Sequence, residues 1–164
     1  MDDTRAFGRL VEATREPLLR FLLNLTGGDT PLADDLAQNA YIKAWTHLSA
    51  FRATSRFRTW LTSIALNEYY SWLRAGHSDL GLDDVAPSDV PDDSADATRV
   101  TDARLDAAAA LALLSPLDRS LVLLFYMEDL PVKKISRITG LTETNVKTRL
   151  HRAKSRMAKY LSEK

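Results

Sequence analysis

The sequence has 164 residues, with 22 basic and 22 acidic side chains, no cysteine and three histidines. The lack of cysteine excludes disulfides, thiolate metal sites and a thiol nucleophile, and it fits a reducing compartment such as the cytoplasm. The apolar runs are far shorter than the roughly 20 residues of a membrane span, and the start Met1-Asp2-Asp3 is acidic where a secretory signal is basic, so we expect a cytoplasmic protein without membrane insertion.

The first two predicted elements are helical. Apolar residues from Phe7 to Leu25 recur at helical spacing around Pro17, which predicts one helix or two short ones. A second helix is expected after Gly27-Gly28, with Thr30 as N-cap and Pro31 at its first position. The residues expected on its apolar face are Leu32, Leu36, Ile42, Trp45 and Leu48.

A third helix is predicted to begin near Ser55 or Arg56 and to close at Gly76. Arginines and aromatic rings alternate along it, and such rings can stack on unpaired bases while arginines bind phosphates. Single-stranded DNA is therefore a candidate ligand. The alternative is that the aromatic rings fill a small core and the arginines lie on a solvated face, and we prefer the core interpretation for Phe57, Trp60 and Ile64.

The charge distribution divides the chain into three parts. Residues 1–75 carry nine basic and eight acidic side chains, residues 76–110 carry two and nine, and residues 111–164 carry eleven and five. The middle part is also poor in apolar residues, so it has too little surface to bury. We expect an all-α protein with two small helical domains, 1–75 and 111–164, joined by a flexible acidic linker, 76–110, which becomes helical after about residue 98.

The C-terminal part predicts a helix-turn-helix. Ser115-Pro116 begins one helix, with Asp118 at a capping position, and Gly140 separates a short helix from Val132 to Thr139 from a longer one that Thr142 caps and that reaches Leu161. Short helix, glycine turn and long helix in this order are typical of units that bind a DNA major groove.

The last predicted helix has two distinct faces. An inward apolar stripe is expected to contain Val146, Leu150, Ala153, Met157 and Leu161. The opposite arc and its flanks are basic and polar, with Thr144, Asn145, Lys147, Thr148, Arg149, His151, Arg152, Ser155, Arg156 and Lys159. A charged face is often only solvated, but the preceding turn and the excess of six basic residues in 111–164 favour DNA binding.

No motif for catalysis is present in the sequence. The glycines do not form a phosphate-binding loop, the three histidines lie on different segments, and the linker aspartates lack the calcium-loop pattern. We expect no catalytic residue, no metal and no cofactor, and hence no enzymatic activity.

Several stretches together resemble the extracytoplasmic-function group of the sigma-70 family, the small sigma factors of bacterial RNA polymerase. ADDLAQ at 33–38 and YIKAW at 41–45 resemble the region 2 helix that docks on the polymerase clamp, and FRTWL at 57–61 resembles the segment that melts and reads the minus-ten element. LSPLDR at 114–119 and NVKTRLHRAK at 145–154 resemble region 4, which reads the minus-thirty-five element.

The resemblance implies three partners: core RNA polymerase, promoter DNA in double-stranded and melted form, and an anti-sigma factor. The residues implied in polymerase binding are Asp35, Gln38, Asn39 and Lys43. Those implied at the downstream element and in melting are Arg52, Arg56, Phe57, Arg58, Trp60, Asn67, Tyr70 and Arg74. Those implied at the upstream element are Asn145, Lys147, Thr148, His151, Arg152 and Ser155.

The sequence departs from the family pattern at Asn39, Ser71, Lys134 and Ala53-Thr54, which bears on promoter preference. Two other hypotheses stay open at this point. An ordinary helix-turn-helix regulator would bind DNA without polymerase and use the N-terminal unit for dimerisation or sensing. A structural helical adaptor would explain the amphipathic helices but not the polar face of the last one.

Overall fold

The computed structural model describes residues 2–51, 56–77 and 100–163, and the chain separates into two compact units, Met1–Ser78 and Asp79–Lys164. Seven α-helices occur in the described ranges, which contain no strand. The all-α fold class is thereby confirmed. The predictions for Arg52, for Ala53-Thr54 and for the acidic linker between residues 78 and 99 lie outside the described residues.

The N-terminal unit consists of three helices. Helix α1 spans Asp2–Leu25, α2 spans Thr30–Thr46 and α3 spans Phe57–Trp72. A 3-10 turn at Leu48–Ala50 follows α2, and a π-helical turn at Leu73–His77 follows α3. Helix α1 is continuous through Pro17, so the one-helix alternative is the correct one.

The core of this unit is leucine-rich on two helices and alanine-rich on the third. Helix α1 buries Leu18, Phe21, Leu22 and Leu25, and α3 buries Leu61, Ala65 and Leu66. Each fully buried large side chain stabilises the fold by about 1.5–3 kcal/mol. Between them α2 presents mainly Ala33, Leu36, Ala37, Ala40 and Ala44, and the small side chains let it lie close to both neighbours.

A partly buried polar contact joins α1 to α2. The Tyr41 hydroxyl lies 2.8 Å from the Thr14 hydroxyl and donates to the carbonyl of Val11 at 3.3 Å. Burial raises the pKa of Tyr41 above its ordinary value, although the Thr14 hydrogen bond and the charge of Arg15 act in the opposite direction. The contact satisfies polar atoms that would otherwise be unpaired between the helices.

Two details of α2 differ from the sequence prediction. Its N-cap is Asp29 and not Thr30, because Asp29 has the extended backbone and its carboxylate accepts a hydrogen bond from the Leu32 amide at 3.1 Å. Ile42 and Trp45 were expected inside but are 63% and 45% exposed. The alanine stripe of α2 forms the buried face in their place.

The C-terminal unit contains four helices: α4 at Val100–Ala112, α5 at Pro116–Val122, α6 at Val132–Thr139 and α7 at Glu143–Ser162. A π-helical turn at Leu123–Met127 extends α5. Helix α4 begins in the part of the predicted linker that was expected to be helical after about residue 98 and extends past residue 110; it packs on α7 and buries Ala110 and Leu111.

The helix ends in this unit follow the sequence signals closely. Ser115 accepts a hydrogen bond from the Asp118 amide at 3.2 Å, and Thr142 accepts one from the Asn145 amide at 3.1 Å. Gly140 ends α6 with a φ of 80°, a left-handed conformation that glycine adopts at little cost. Ile135 and Val146 are fully buried and hold α6 against α7.

Candidate nucleic-acid interface

Helix α7 presents the polar face that the sequence predicted. All six residues implied at the upstream element are exposed: Asn145, Lys147, Thr148, His151, Arg152 and Ser155. The opposite face buries Val146, Leu150 and Ala153. Leu161 was expected in this stripe but is 44% exposed, so the stripe ends before the last turn of the helix.

The turn before α7 is fixed by its own hydrogen bonds. The Ser136 hydroxyl donates to the carbonyl of Leu141, and the Thr139 hydroxyl donates to the carbonyl of Ile135 at 2.8 Å. Together with the left-handed Gly140, these bonds set the angle at which α7 leaves the turn. The exposed N-terminal half of α7 thus follows a hydrogen-bonded turn, as in the units whose second helix enters a major groove.

Arg149 is bound within the protein, although the sequence analysis placed it among the flanking cations. Its Nη1 donates to the Asp118 carboxylate at 2.9 Å, and its Nε donates to Oδ1 of Asn145 at 3.1 Å. The side chains of Arg149 and Asp118 are only 20% and 21% exposed. Asp118 therefore acts as an ion-pair partner between α5 and α7, a role that the sequence reasoning missed.

Aromatic rings cluster at the start of α3. The ring centroid of Phe57 lies 6.1 Å from that of Phe7, 5.7 Å from that of Phe51 and 5.9 Å from that of Trp60. Phe57 is only 8% exposed, and Trp60 is half-buried against Phe51. These rings pack as a small core, the alternative preferred for Phe57 and Trp60 on sequence grounds.

The exposed members of the predicted downstream set lie around this cluster and along α3. Arg56, Arg58, Asn67 and Arg74 are exposed, whereas Tyr70 is 9% exposed. Asn67 follows Trp60 by seven positions, so the two lie on nearly the same side of the helix, about 20° apart. A surface with arginines at its start, a half-buried indole and an amide farther along can contact phosphates and an unstacked base.

The predicted polymerase-binding residues lie on one side of α2. Asp35 and Gln38 are exposed, Asn39 is half-buried, and the Lys43 ammonium forms an ion pair with Glu68 on α3. Ile42 lies seven positions after Asp35 and therefore about 20° from it around the helix. The exposed Ile42 thus belongs to the same surface, which the sequence reasoning missed because it assigned Ile42 to the core.

A shallow apolar pocket adjoins this surface. It is lined by Thr4, Phe7, Tyr41, Ile42 and Trp45.

None of the described helices is both long and apolar enough to cross a membrane. Within the same ranges no three histidine or acidic side chains come together as metal ligands would.

Comparison with known proteins identifies both units. The sequence model of sigma-70 region 2 matches residues 10–78, and that of sigma-70 region 4 matches residues 104–157. The ECF RNA polymerase sigma factor SigM of Mycobacterium tuberculosis is 30% identical over 161 residues, which cover 97% of this chain and 79% of SigM.

Two further similarities extend over most of the chain. The probable RNA polymerase sigma factor RfaY of Xanthomonas campestris pv. campestris is 29% identical over 162 residues; the match covers 92% of this chain but 39% of RfaY. The structure of the sigma factor RpoE in complex with the anti-sigma factor NepR from Bartonella quintana aligns with a TM-score of 0.74 at 23% identity, over 96% of this chain and 98% of RpoE. This structural similarity supports the fold.

Proposed function

The chain belongs to the extracytoplasmic-function group of the sigma-70 family, and we propose on this premise that it binds core RNA polymerase and directs promoter-specific transcription initiation. The observation that carries the proposal is the presence of region 2 followed by region 4 in one chain, with an exposed polar face on the helix after the glycine turn. The protein is an initiation factor that acts as a dissociable polymerase subunit in the cytoplasm and has no catalytic turnover of its own.

The two units divide the work between them. Residues 1–75 bind the polymerase and recognise and melt the minus-ten element, residues 111–164 recognise the minus-thirty-five element, and residues 76–110 connect them. Exposed basic and polar side chains on each unit support this division. A single stretch of α7 is too short to read two promoter elements, because a helix in the major groove contacts only a few successive bases.

At the upstream element the N-terminal half of α7 reads base edges. Asn145, Lys147 and Thr148 lie near the helix start, where side chains reach the bases, and Arg152 and Ser155 lie farther along, where they contact phosphates. His151 lies between the two groups on the same exposed face.

At the downstream element the exposed side chains of α3 and its start make the contacts. Arg56, Arg58 and Arg74 bind the phosphates of the separated strand, and Asn67 binds an unstacked base. Arg52 is assigned the same role from the family pattern. Phe57, Trp60 and Tyr70 act mainly by holding this surface in shape, since Phe57 and Tyr70 are buried and Trp60 is half-buried.

The polymerase is bound by α2. Asp35, Gln38 and Asn39 offer polar contacts and Ile42 an apolar one on a single side of the helix. Lys43 contributes by fixing α2 to α3 through Glu68. An interface combines an apolar centre with a polar rim, and Ile42 with its polar neighbours offers both kinds of contact.

An anti-sigma factor controls the protein. RpoE of Bartonella quintana forms a complex with the anti-sigma factor NepR, and CnrH forms one with the cytosolic domain of CnrY. The exposed apolar residues Ile42 and Trp45 on the first unit, and Tyr126 on the second, are surfaces that such a partner can cover.

Transcription in vitro tests the proposal against its main alternative, a helix-turn-helix regulator that does not need polymerase. The purified chain is mixed with core polymerase, separated by gel filtration, and supplied with a randomised promoter library. We expect co-elution with core enzyme and enrichment of promoters with two conserved elements. DNA binding without co-elution would favour the regulator.

A further inference from the structure

The contacts of Asn145 determine which of its side-chain atoms can face DNA. We propose that Asp118 and Arg149 position the Asn145 amide so that its amino group points outward, and that Asn145 therefore accepts any base that offers a major-groove acceptor (guanine, thymine or adenine) and rejects cytosine at one position of the upstream element. The inference rests on the proposed function and adds the base that one residue excludes.

The orientation of the amide follows from the chemistry of its neighbour. The Arg149 Nε lies 3.1 Å from the side-chain oxygen of Asn145. A guanidinium group can only donate hydrogen bonds, so the atom facing it must be the oxygen Oδ1 and not the amino nitrogen Nδ2. Within the described part of the chain Nδ2 has no hydrogen-bond partner, and Asn145 is exposed. Its two donor hydrogens are available to a ligand.

Asp118 keeps the guanidinium in this place. It lies on α5 and binds Nη1 of Arg149 at 2.9 Å, and both side chains are about four-fifths buried. Water screens such a pair less than it screens an exposed one. Without Asp118 the Arg149 side chain, which has four rotatable bonds, would sample many rotamers. Asp118 is therefore a positioning residue, because it acts on Asn145 through Arg149.

The fixed orientation of the Asn145 amide changes which bases this side chain can recognise. In the major groove guanine offers the acceptors O6 and N7 and thymine offers O4, whereas cytosine offers the N4 amino donor. The common pairing of asparagine with adenine uses Oδ1 to accept from N6 and Nδ2 to donate to N7. In this protein Oδ1 accepts from Arg149, so the bond from adenine N6 to Oδ1 is lost while Nδ2 can still donate to adenine N7. Cytosine, which presents only the N4 donor at this edge, is the base that the outward amino group cannot bind.

The proposal is tested with holoenzyme assembled from core polymerase and the full chain, on promoters randomised across the upstream element. The variants are Asp118→Asn, Arg149→Met, Asn145→Ala, and Asn145→Ala combined with each of the first two. Wild type should prefer guanine, thymine or adenine over cytosine at one position by about 5- to 150-fold, the range of one good base contact. Asn145→Ala should abolish that preference.

The first two variants distinguish positioning from a merely structural role. In both, the amide can rotate and present Oδ1 to the N4 amino group, so cytosine should become acceptable at the same position while preferences elsewhere stay as in wild type. In the Asn145→Ala background neither substitution should change the preference at that position further. Far-ultraviolet circular dichroism confirms folding, and Arg149→Met serves if Asp118→Asn proves unstable.

Three outcomes would overturn the inference. Base preference could stay unchanged in Asp118→Asn and Arg149→Met, it could change equally with and without Asn145, or no position of the element could depend on Asn145. Each of these outcomes contradicts the inference when the wild-type holoenzyme still initiates at specific promoters. A wild-type chain that fails to direct initiation at all would instead contradict the proposed function, and the inference with it.

Discussion

Ile135 offers a sharp test of how the helix-turn-helix is held together. Its side chain is fully buried, and its helix α6 packs on α7, where Val146 is also fully buried. Replacing a buried isoleucine by valine costs about 0.5–1.5 kcal/mol, and replacing it by alanine costs about 2–5 kcal/mol. At roughly 0.05–0.15 kcal/mol per residue, a unit of this size has only about 3–10 kcal/mol of stability.

The expected shifts follow from these values. With an m-value near 1 kcal/mol per molar urea for a small domain, Ile135→Val should lower the unfolding midpoint by about 0.5–1.5 M urea. Ile135→Ala should lower the midpoint by about 2–5 M urea, which unfolds the C-terminal helices at low urea if the stability of the unit lies at the lower end of its range. Far-ultraviolet circular dichroism measures these changes, because the helices of the unit contribute directly to the signal.

Tryptophan fluorescence supplies the second readout. All three tryptophans, Trp45, Trp60 and Trp72, lie in the N-terminal unit, so the Ile135 variants should leave the fluorescence transition in place. Leu61→Ala, in the buried core of the N-terminal unit, should shift it, and the mostly exposed Ile42→Ala should shift neither signal. Ile135→Val could instead shift both signals equally, or shift neither. Either result would refute the assignment of Ile135 to a hydrophobic core that belongs to the C-terminal unit alone.

Three further predictions concern function and pH. Arg152→Ala should weaken promoter binding at every sequence alike and reduce the salt slope by about one unit, measured by titration of holoenzyme at several salt concentrations; a changed base preference with an unchanged slope would contradict a phosphate contact. Asn67→Ala should spare core binding, measured by gel filtration, but lower open-complex formation, measured by permanganate footprinting; equal loss of both would contradict the division between α2 and α3. The pKa of the Tyr41 hydroxyl is raised in the folded protein, so on raising the pH this hydroxyl loses its proton in the unfolded chain before it does in the folded one. The free energy of unfolding should therefore fall as pH rises through and above about 10. Tyr41→Phe should reduce that fall, and an identical alkaline profile in urea titrations of both proteins would show that Tyr41 does not cause it.

Features set by neighbouring residues could be predicted from sequence. Ser115, Gly140 and Thr142 act as helix caps in the structure as expected, because a cap depends on side chains and backbone only a few residues apart. The predicted N-cap of α2 was wrong by one position. Asp29 and Thr30 are adjacent and both side chains can accept a hydrogen bond from a backbone amide of the first turn.

The buried side of α2 was the main error in the fold. The prediction placed the large apolar residues Ile42 and Trp45 on the buried face of α2 and gave the smaller alanines no weight. Packing between two leucine-rich helices favours small residues instead, so the alanine stripe is buried and Ile42 is exposed. The spacing of large apolar residues along a helix does not by itself distinguish an exposed position from a core one.

Contacts between distant residues could not be predicted either. Arg149 and Asp118 are 31 positions apart and are joined only because α5 packs on α7. Lys43 and Glu68 meet for the same reason across α2 and α3. The Arg149 side chain is thereby mostly buried, whereas that of Lys43 stays 57% exposed beside its partner. Both ion pairs bear on which cations can reach DNA or polymerase.

Transcription start sites provide the most direct test of the central claim, that two helical units on one chain direct polymerase to promoters. Core polymerase is assayed by sequencing RNA 5′ ends from a promoter library, with and without the purified chain. The account predicts new, discrete start sites downstream of two spaced elements, and their loss when Asn67→Ala and Arg152→Ala are combined. An unchanged distribution of start sites, with the chain bound to core enzyme or not, would contradict it.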